Sequence, residues 1–267
     1  MKIFLRTFLL AALPALVAAQ IAAQGSQDGR GKLAAEAEEI RAMANEARAQ
    51  AGVGRLEWDQ ALAAAALQHC LRMAAEGPIS HQYNGEPDLS ARAAQAGARF
   101  SVIEENVAIG PSADRIHEEW MESPGHRANL LSPDVDRVGI AVVAARGVLY
   151  AVADYSRGVE QLSATQVEAR VAALIRVSGV AILRDPSLAR RACATDEGMP
   201  RSESEAAGGE MPRFVMRWQA GDLTQLPKAL VDRLASGNYR QAAVGSCPAQ
   251  VAEGAAFSAY RAAVLLY

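Results

Sequence analysis

The run Trp120-Met121-Glu122-Ser123-Pro124-Gly125-His126-Arg127-Ala128-Asn129-Leu130-Leu131 decides how this chain is read. Upstream of it, Ser112 is placed to cap a helix over Ala113–Met121. Ser123-Pro124-Gly125 then breaks that helix, and His126 stands just past the break. Downstream lie two β-rich runs, Val138–Ala144 and Val148–Tyr155, with Arg146-Gly147 between them as a hairpin turn. Helices first and strands last predict an α+β packing rather than alternating βαβ units.

Toward the N-terminus, Leu33, Ala37, Ile40, Ala44 and Ala47 recur at helical spacing, and Gly52 and Gly54 stop that helix. Asp59 follows Leu56-Glu57-Trp58 as a natural N-cap for a helix from about Gln60 to Ala75. Leu62, Ala66, His69 and Met73 lie along one face of it. Gly77-Pro78 ends that helix, and Ser80-His81 opens a polar loop. A short helical stretch near Leu89–Ala96 and the run Glu104-Glu105-Asn106-Val107-Ala108 lead back to Ser112.

Toward the C-terminus, residues 160–267 read as a smaller α+β region of their own. Helices are expected over Ala164–Ile175, Ser187–Ala194 and Leu226–Ala235, and strands over Phe214–Trp218, Arg240–Cys247 and Phe257–Tyr267. Thr195–Met211 reads as a polar loop. The region echoes the first: Leu56, Asp59, Leu62 and Ala66 have counterparts at the same spacing in Ile182, Asp185, Leu188 and Ala192. Val138-Gly139 is matched by Val244-Gly245. The competing explanation is chance similarity between amphipathic elements in an alanine-rich chain. The second region has no histidine, so a repeat would not carry the same polar cleft.

The 267 residues are about half apolar, and the net charge is −3. That balance supports a real core and gives no basic excess for a nucleic-acid partner. Lys2 and Arg6 precede the apolar run Phe8–Val17 and alanine-rich positions, the layout of a secretory signal peptide over residues 1–24. An uncleaved anchor is the alternative, but the run is short of the roughly 20 apolar residues a span needs. Residues 25–32 read as a flexible lead-in. The chain is expected to be secreted or periplasmic, with no transmembrane span after signal removal. Export permits disulfides, and Cys193 and Cys247 are the better pair because they share one region. Cys70, in an apolar helical run, reads as a buried free thiol.

Of four histidines, His69 lies on an apolar helix face and His117 among Arg115, Glu118 and Glu119. The first reads as a hydrogen-bonded core residue, the second as a solvated helix surface. His81 and His126 each follow a Gly/Pro break, where side chains converge on clefts. With a carboxylate they suit a divalent cation such as zinc, a proton-transfer set, or a polar cluster that fixes loops. No HExxH, Gly-x-Ser-x-Gly or phosphate-binding glycine loop is present.

Taken in order, Asn45-x-x-Arg48, Leu56-x-Trp58-Asp59-x-x-Leu62, Met73, Ser80-His81, Glu105-Asn106-Val107-Ala108, the 120–131 run and Val138-Gly139 resemble bacterial CAP-superfamily domains. These are the SCP-like relatives of cysteine-rich secretory, antigen 5 and pathogenesis-related-1 proteins. The resemblance covers about Leu33–Tyr155 and gives a CAP domain over residues 33–158. It implies a three-layer α/β/α sandwich with a central antiparallel sheet; the internal echo, set against chance similarity, would make the C-terminal region a degenerate CAP-like half repeat. The resemblance also implies a cleft where His81, His126 and Glu105 meet a second acid. Ser123 stands at that second position, with Glu122 one residue off and Glu119 before Trp120. Trp58, Trp120, Asp59 and Asn106 are expected to build the cleft rather than react in it.

The resulting expectation is an extracytoplasmic binding module whose partner is an extracellular protein or a lipid ligand. A metal-dependent hydrolase using His81 and His126 is one alternative. A lipid- or sterol-binding protein is the other.

Overall fold

The computed structural model describes residues 13–195, 198, 211–250 and 256–267. Residues 1–12 of the expected signal segment, and most of the expected loop over Thr195–Met211, lie outside the described residues. No helix among the described residues is long and apolar enough to cross a membrane. The chain divides into two compact units, one formed by residues up to Glu86 with Glu104–Tyr155, the other by Pro87–Ile103 with Ser156–Tyr267.

In the first unit, helix α1 spans Leu13–Gln50 and so takes in residues 25–32, read from sequence as a flexible lead-in. Strand β1 is Glu57–Trp58 and helix α2 is Gln60–Glu76. Asp59 caps α2, accepting from the amides of Ala61 at 2.8 Å and Leu62 at 3.1 Å. Strand β2 (Phe100–Gly110) was not foreseen as a strand. Helix α4 (Ala113–Glu122) and helix α5 (Pro124–Leu130) follow, the short α3 (Leu89–Gln95) belonging to the other unit. Strands β3 (Arg137–Ala145) and β4 (Val148–Gly158) form the expected hairpin. Its two turn residues, Arg146 and Gly147, have φ of 53° and 80°, the double left-handed geometry that suits a two-residue hairpin.

The sheet order is β1-β3-β4-β2. It is mixed rather than purely antiparallel, because β1 pairs parallel with β3 in the register Glu57↔Arg137 and Trp58↔Val138. The intervening helices and β2 supply the long crossover a parallel pair requires. One face of the sheet packs Val107, Ala141, Tyr150 and Val152 against Ala66, Cys70 and Met73 of α2. Val138, Ile140, Val142, Ala151, Ala153 and Tyr155 alternate with those positions and are buried as well, so both faces are covered.

Two buried polar side chains of α1 hold this unit together. Asn45 pairs with Leu56 as a strand would, accepting its amide at 2.7 Å and donating to its carbonyl at 3.2 Å. The Arg48 guanidinium donates to the carbonyls of Gly54, Leu130, Ser132 and Val135. These contacts tie α1 to the segment that follows α5.

The second unit contains α6 (Ala164–Arg176), β5 (Ala181–Ile182), α7 (Ser187–Ala194), β6 (Phe214–Ala220), α8 (Lys228–Ala235), β7 (Gln241–Cys247) and β8 (Tyr260–Leu266). Its sheet order is β5-β7-β8-β6, with β5 parallel to β7. Val171 and Ile175 of α6 and Leu230 of α8 cover one face, and Ala189 and Cys193 of α7 the other. This is the strand order of the first unit. The glycine device recurs too. A Cβ on Gly139 would stand 2.0 Å from the Ala63 amide of α2, and one on Gly245 would stand 2.2 Å from the Arg190 amide of α7. The ladder places Leu183, not Asp185, where Asp59 stands: Asp59 donates its amide to Val138 O, and Leu183 to Ala242 O. In the strand the match is thus displaced by two residues, which preserves the face of each strand side chain, whereas in α7 the residue packed against Gly245 is Ala189, one past the matched Leu188.

The Cys193–Cys247 disulfide is present, joining α7 to β7, and Cys70 is a buried free thiol.

Candidate functional site

The site lies in the first unit. His81 sits in the turn after α2, Glu105 in β2, and His126 in α5. From sequence, His126 stands just past a helix break. In the structure Pro124 opens a new helix, its fixed φ and missing N–H being harmless in a first turn, so His126 is helical.

Nδ1 of His81 lies 2.8 Å from Oε1 of Glu105. The carboxylate is nearly buried, its side chain 3% exposed, while the imidazole is 60% exposed. Glu105 therefore backs His81 from the protein side. His126 is half-buried; burial first, and then the neighbouring His81, push its pKa below the ordinary histidine value.

A set of amide side chains fixes these parts. Asn106 donates to the backbone carbonyl of His126 at 2.9 Å. Asn129 donates to Oδ1 of Asn106 and to the carbonyl of Glu105, both at 3.0 Å. The indole N–H of buried Trp120 donates to the carbonyl of Val107 at 3.2 Å. Strand β2 is an edge strand, so Asn129 and Trp120 satisfy carbonyls that would otherwise face an open edge. Trp58 is only half-buried, with Arg41 lying 6.0 Å above its ring.

Beneath the cleft is a group that sequence reasoning only half found. His69 is fully buried and hydrogen-bonded as expected, but its partner is Glu86, at 2.8 Å from Nδ1. Its Nε2 lies 2.9 Å from the carbonyl of Ser80 and 4.0 Å from Oε2 of Glu105. Glu86 stands alone between Gly85 and Pro87, and no spacing signal marked it. His117 departs from its reading as a solvated surface residue. It is half-buried, its Nε2 has no hydrogen-bond partner, and burial lowers its pKa.

Beside His126 opens a groove of about 380 Å³, lined by Ile79, Val107, Ile109, Glu119, Trp120 and Ser123 among others. Glu119 reaches this groove; Glu122 is exposed and is not among its lining residues. As a metal site the donors fall short. Among the described residues no group of three or more His, Cys, Asp or Glu side chains is arranged to hold an ion. One carboxylate here is engaged by His81, and Ser123 offers a neutral hydroxyl where a second acid would be needed. The cleft as built offers hydrogen-bonding groups and two imidazoles next to apolar surface. In the second unit, Arg217 of β6 instead donates to carbonyls at the end of α7 and beyond, Ala192 and Gly198.

Residues 42–155 match the sequence profile of the cysteine-rich secretory protein family, CAP. An uncharacterized membrane protein of Bacillus subtilis is 33% identical over 104 residues, which are 38% of this chain and 29% of that protein. An uncharacterized protein of Borreliella burgdorferi is 26% identical over 94 residues, covering 35% of this chain and 60% of that one. The chain thus spans under two thirds of either relative. An extracellular protein containing an SCP domain from Bacillus anthracis superposes with a TM-score of 0.44 at 24% identity, over 47% of this chain and 41% of that one.

Proposed function

We propose that the match over residues 42–155 marks a domain of the cysteine-rich secretory protein family, and that this protein is exported and uses that domain as an extracytoplasmic binding module. The ligand is amphipathic. Its apolar segment lies in the groove over Ile79, Val107, Ile109 and Trp120, and its acidic or hydrogen-bonding end meets His126 and His81. The observation that supports this most is continuity: His126 lines the apolar groove, and the neighbouring His81 is one of the groups that hold its pKa below the ordinary histidine value. A groove of this size is at the lower end of small-molecule sites, which run from about 300 to 1,000 Å³. The disulfide of the second unit and the apolar start of the sequence support export. A hydrolytic reading would need a metal with an open position, and the donor set does not supply one.

The test is a titration with a fluorescent long-chain fatty acid, cis-parinaric acid, against the wild type and Ile79→Glu. Ile79 is exposed, so the substitution leaves the core intact. Saturable binding that weakens about tenfold or more in the variant, roughly 1.4 kcal/mol, supports the reading.

A further inference from the structure

We infer that His69, acting with Glu86, is the positioning residue of the His81–Glu105 pair. The inference rests on the reading of His81, Glu105 and His126 as the binding cleft. It adds two buried residues that never reach the ligand.

The proton count carries the argument. A carbonyl oxygen only accepts, so Nε2 of His69, 2.9 Å from Ser80 O, bears a hydrogen. Nδ1 then faces Oε1 of Glu86 at 2.8 Å. A bare ring nitrogen and an ionised carboxylate would oppose two lone pairs at that distance. One proton must therefore sit between them, whichever atom holds it. The other oxygen of Glu86 accepts the amide of Tyr83 at 2.9 Å, which fixes the carboxylate in the same turn region as His81. Both groups are buried, with side chains 0% and 5% exposed, so the shared proton is shielded from water.

From this node His69 acts on both members of the pair. It grips the carbonyl of residue 80, directly before His81, and so sets where the imidazole starts. Its Nε2, hydrogen-bonded to Ser80 O, also lies 4.0 Å from Oε2 of Glu105, in van der Waals reach of the carboxylate whose Oε1 faces His81. With Oε1 of Glu105 held 2.8 Å from Nδ1, neutral His81 is the tautomer that carries its hydrogen on Nδ1 and keeps Nε2 as its accepting nitrogen.

The experiment is imidazole NMR with ¹⁵N-labelled histidine, tractable with four histidines, on the wild type, His69→Gln and Glu86→Gln. A glutamine at 69 keeps a donor for Ser80 O but shares no proton with Glu86. In the wild type, neutral His81 is expected as the Nδ1–H tautomer, and His69 should show a strongly downfield, exchange-protected proton. Both variants should lose that resonance and shift His81 toward the Nε2–H form that prevails in solvent. An unchanged His81 tautomer in the folded variants overturns the inference. Should His69→Gln fail to fold, the wild type alone decides: a bare Nδ1 on His69 with no shared-proton resonance overturns it equally. No ligand enters this readout. Loss of fatty-acid binding with the tautomer effect intact would remove the binding reading alone, and the reverse would remove the positioning role alone.

Discussion

The side-chain amide of Asn106 donates to the backbone carbonyl of His126 at 2.9 Å, so the strand that carries Glu105 also sets the height of the helix that carries His126. Asn106 is fully buried, and its Oδ1 is occupied by Asn129. Asn106→Leu keeps the volume and leaves the His126 carbonyl and the Asn129 amide without these partners. Each such loss costs about 1–3 kcal/mol. Urea unfolding should show that loss, and the His126 ring resonances should move. Wild-type stability with an unmoved His126 would show that the lock is not made.

The close approach of helix and sheet at one glycine in each unit makes a paired prediction. Gly139→Ala and Gly245→Ala each force a Cβ into the backbone of a packed helix, at 2.0 and 2.2 Å. Both should destabilise by about 3 kcal/mol or more. Gly54→Ala, at a position with nothing within 4 Å, is the control and should change little.

The cysteines should separate by chemistry. Burial pushes the Cys70 thiol up to about 12, and its sulfur donates to the carbonyl of Tyr150 at 3.2 Å. The folded protein should therefore resist alkylation at neutral pH and take up one equivalent only when unfolded under non-reducing conditions. Reducing the Cys193–Cys247 bond, which spans a sequence separation of 54, removes about 4 kcal/mol in the chain-entropy model. Thermal unfolding with and without reductant measures that loss.

The order of the elements was legible in the sequence because capping residues, glycine stops and the 120–131 run are local signals. Strand β2 was not, because Phe100–Gly110 mixes acids, an asparagine and apolar residues with no clean alternation. Only its partner β4 and the side chains of Asn129 and Trp120 make it a strand. The same distinction holds for the site. His81, Glu105 and His126 could be named from the pattern, but Glu86 contacts His69 from 17 positions away, and nothing near it in sequence declares a partner. Arg48 was one member of a pattern until its four carbonyl partners, up to 87 positions distant, showed it as a staple.

Acid should weaken this fold through two histidines. His126 and His117 both titrate below the ordinary histidine value, chiefly because burial disfavours their charged forms. Glu118, Asp114 and Glu46 partly offset the effect at His117. In the window just below an unfolded value of about 6.5 the unfolded chain binds more protons than the native one, so stability falls as pH falls. Their contribution is complete above that window and is lost as pH drops through the depressed native values. Chemical unfolding from pH 7.5 to 5 should show this slope in the wild type and a shallower one in His126→Ala. Parallel slopes would mean His126 is not desolvated.

The central claim, that the His126 groove and the His81–Glu105 pair form one ligand site, is tested most directly by cis-parinaric acid titration of the wild type, Ile79→Glu and His126→Ala. The account predicts saturable binding in the wild type and a loss of about tenfold or more in each variant, because one substitution charges the apolar floor and the other removes the polar anchor. Equal affinity in all three proteins, or no saturable binding in the wild type, would contradict it.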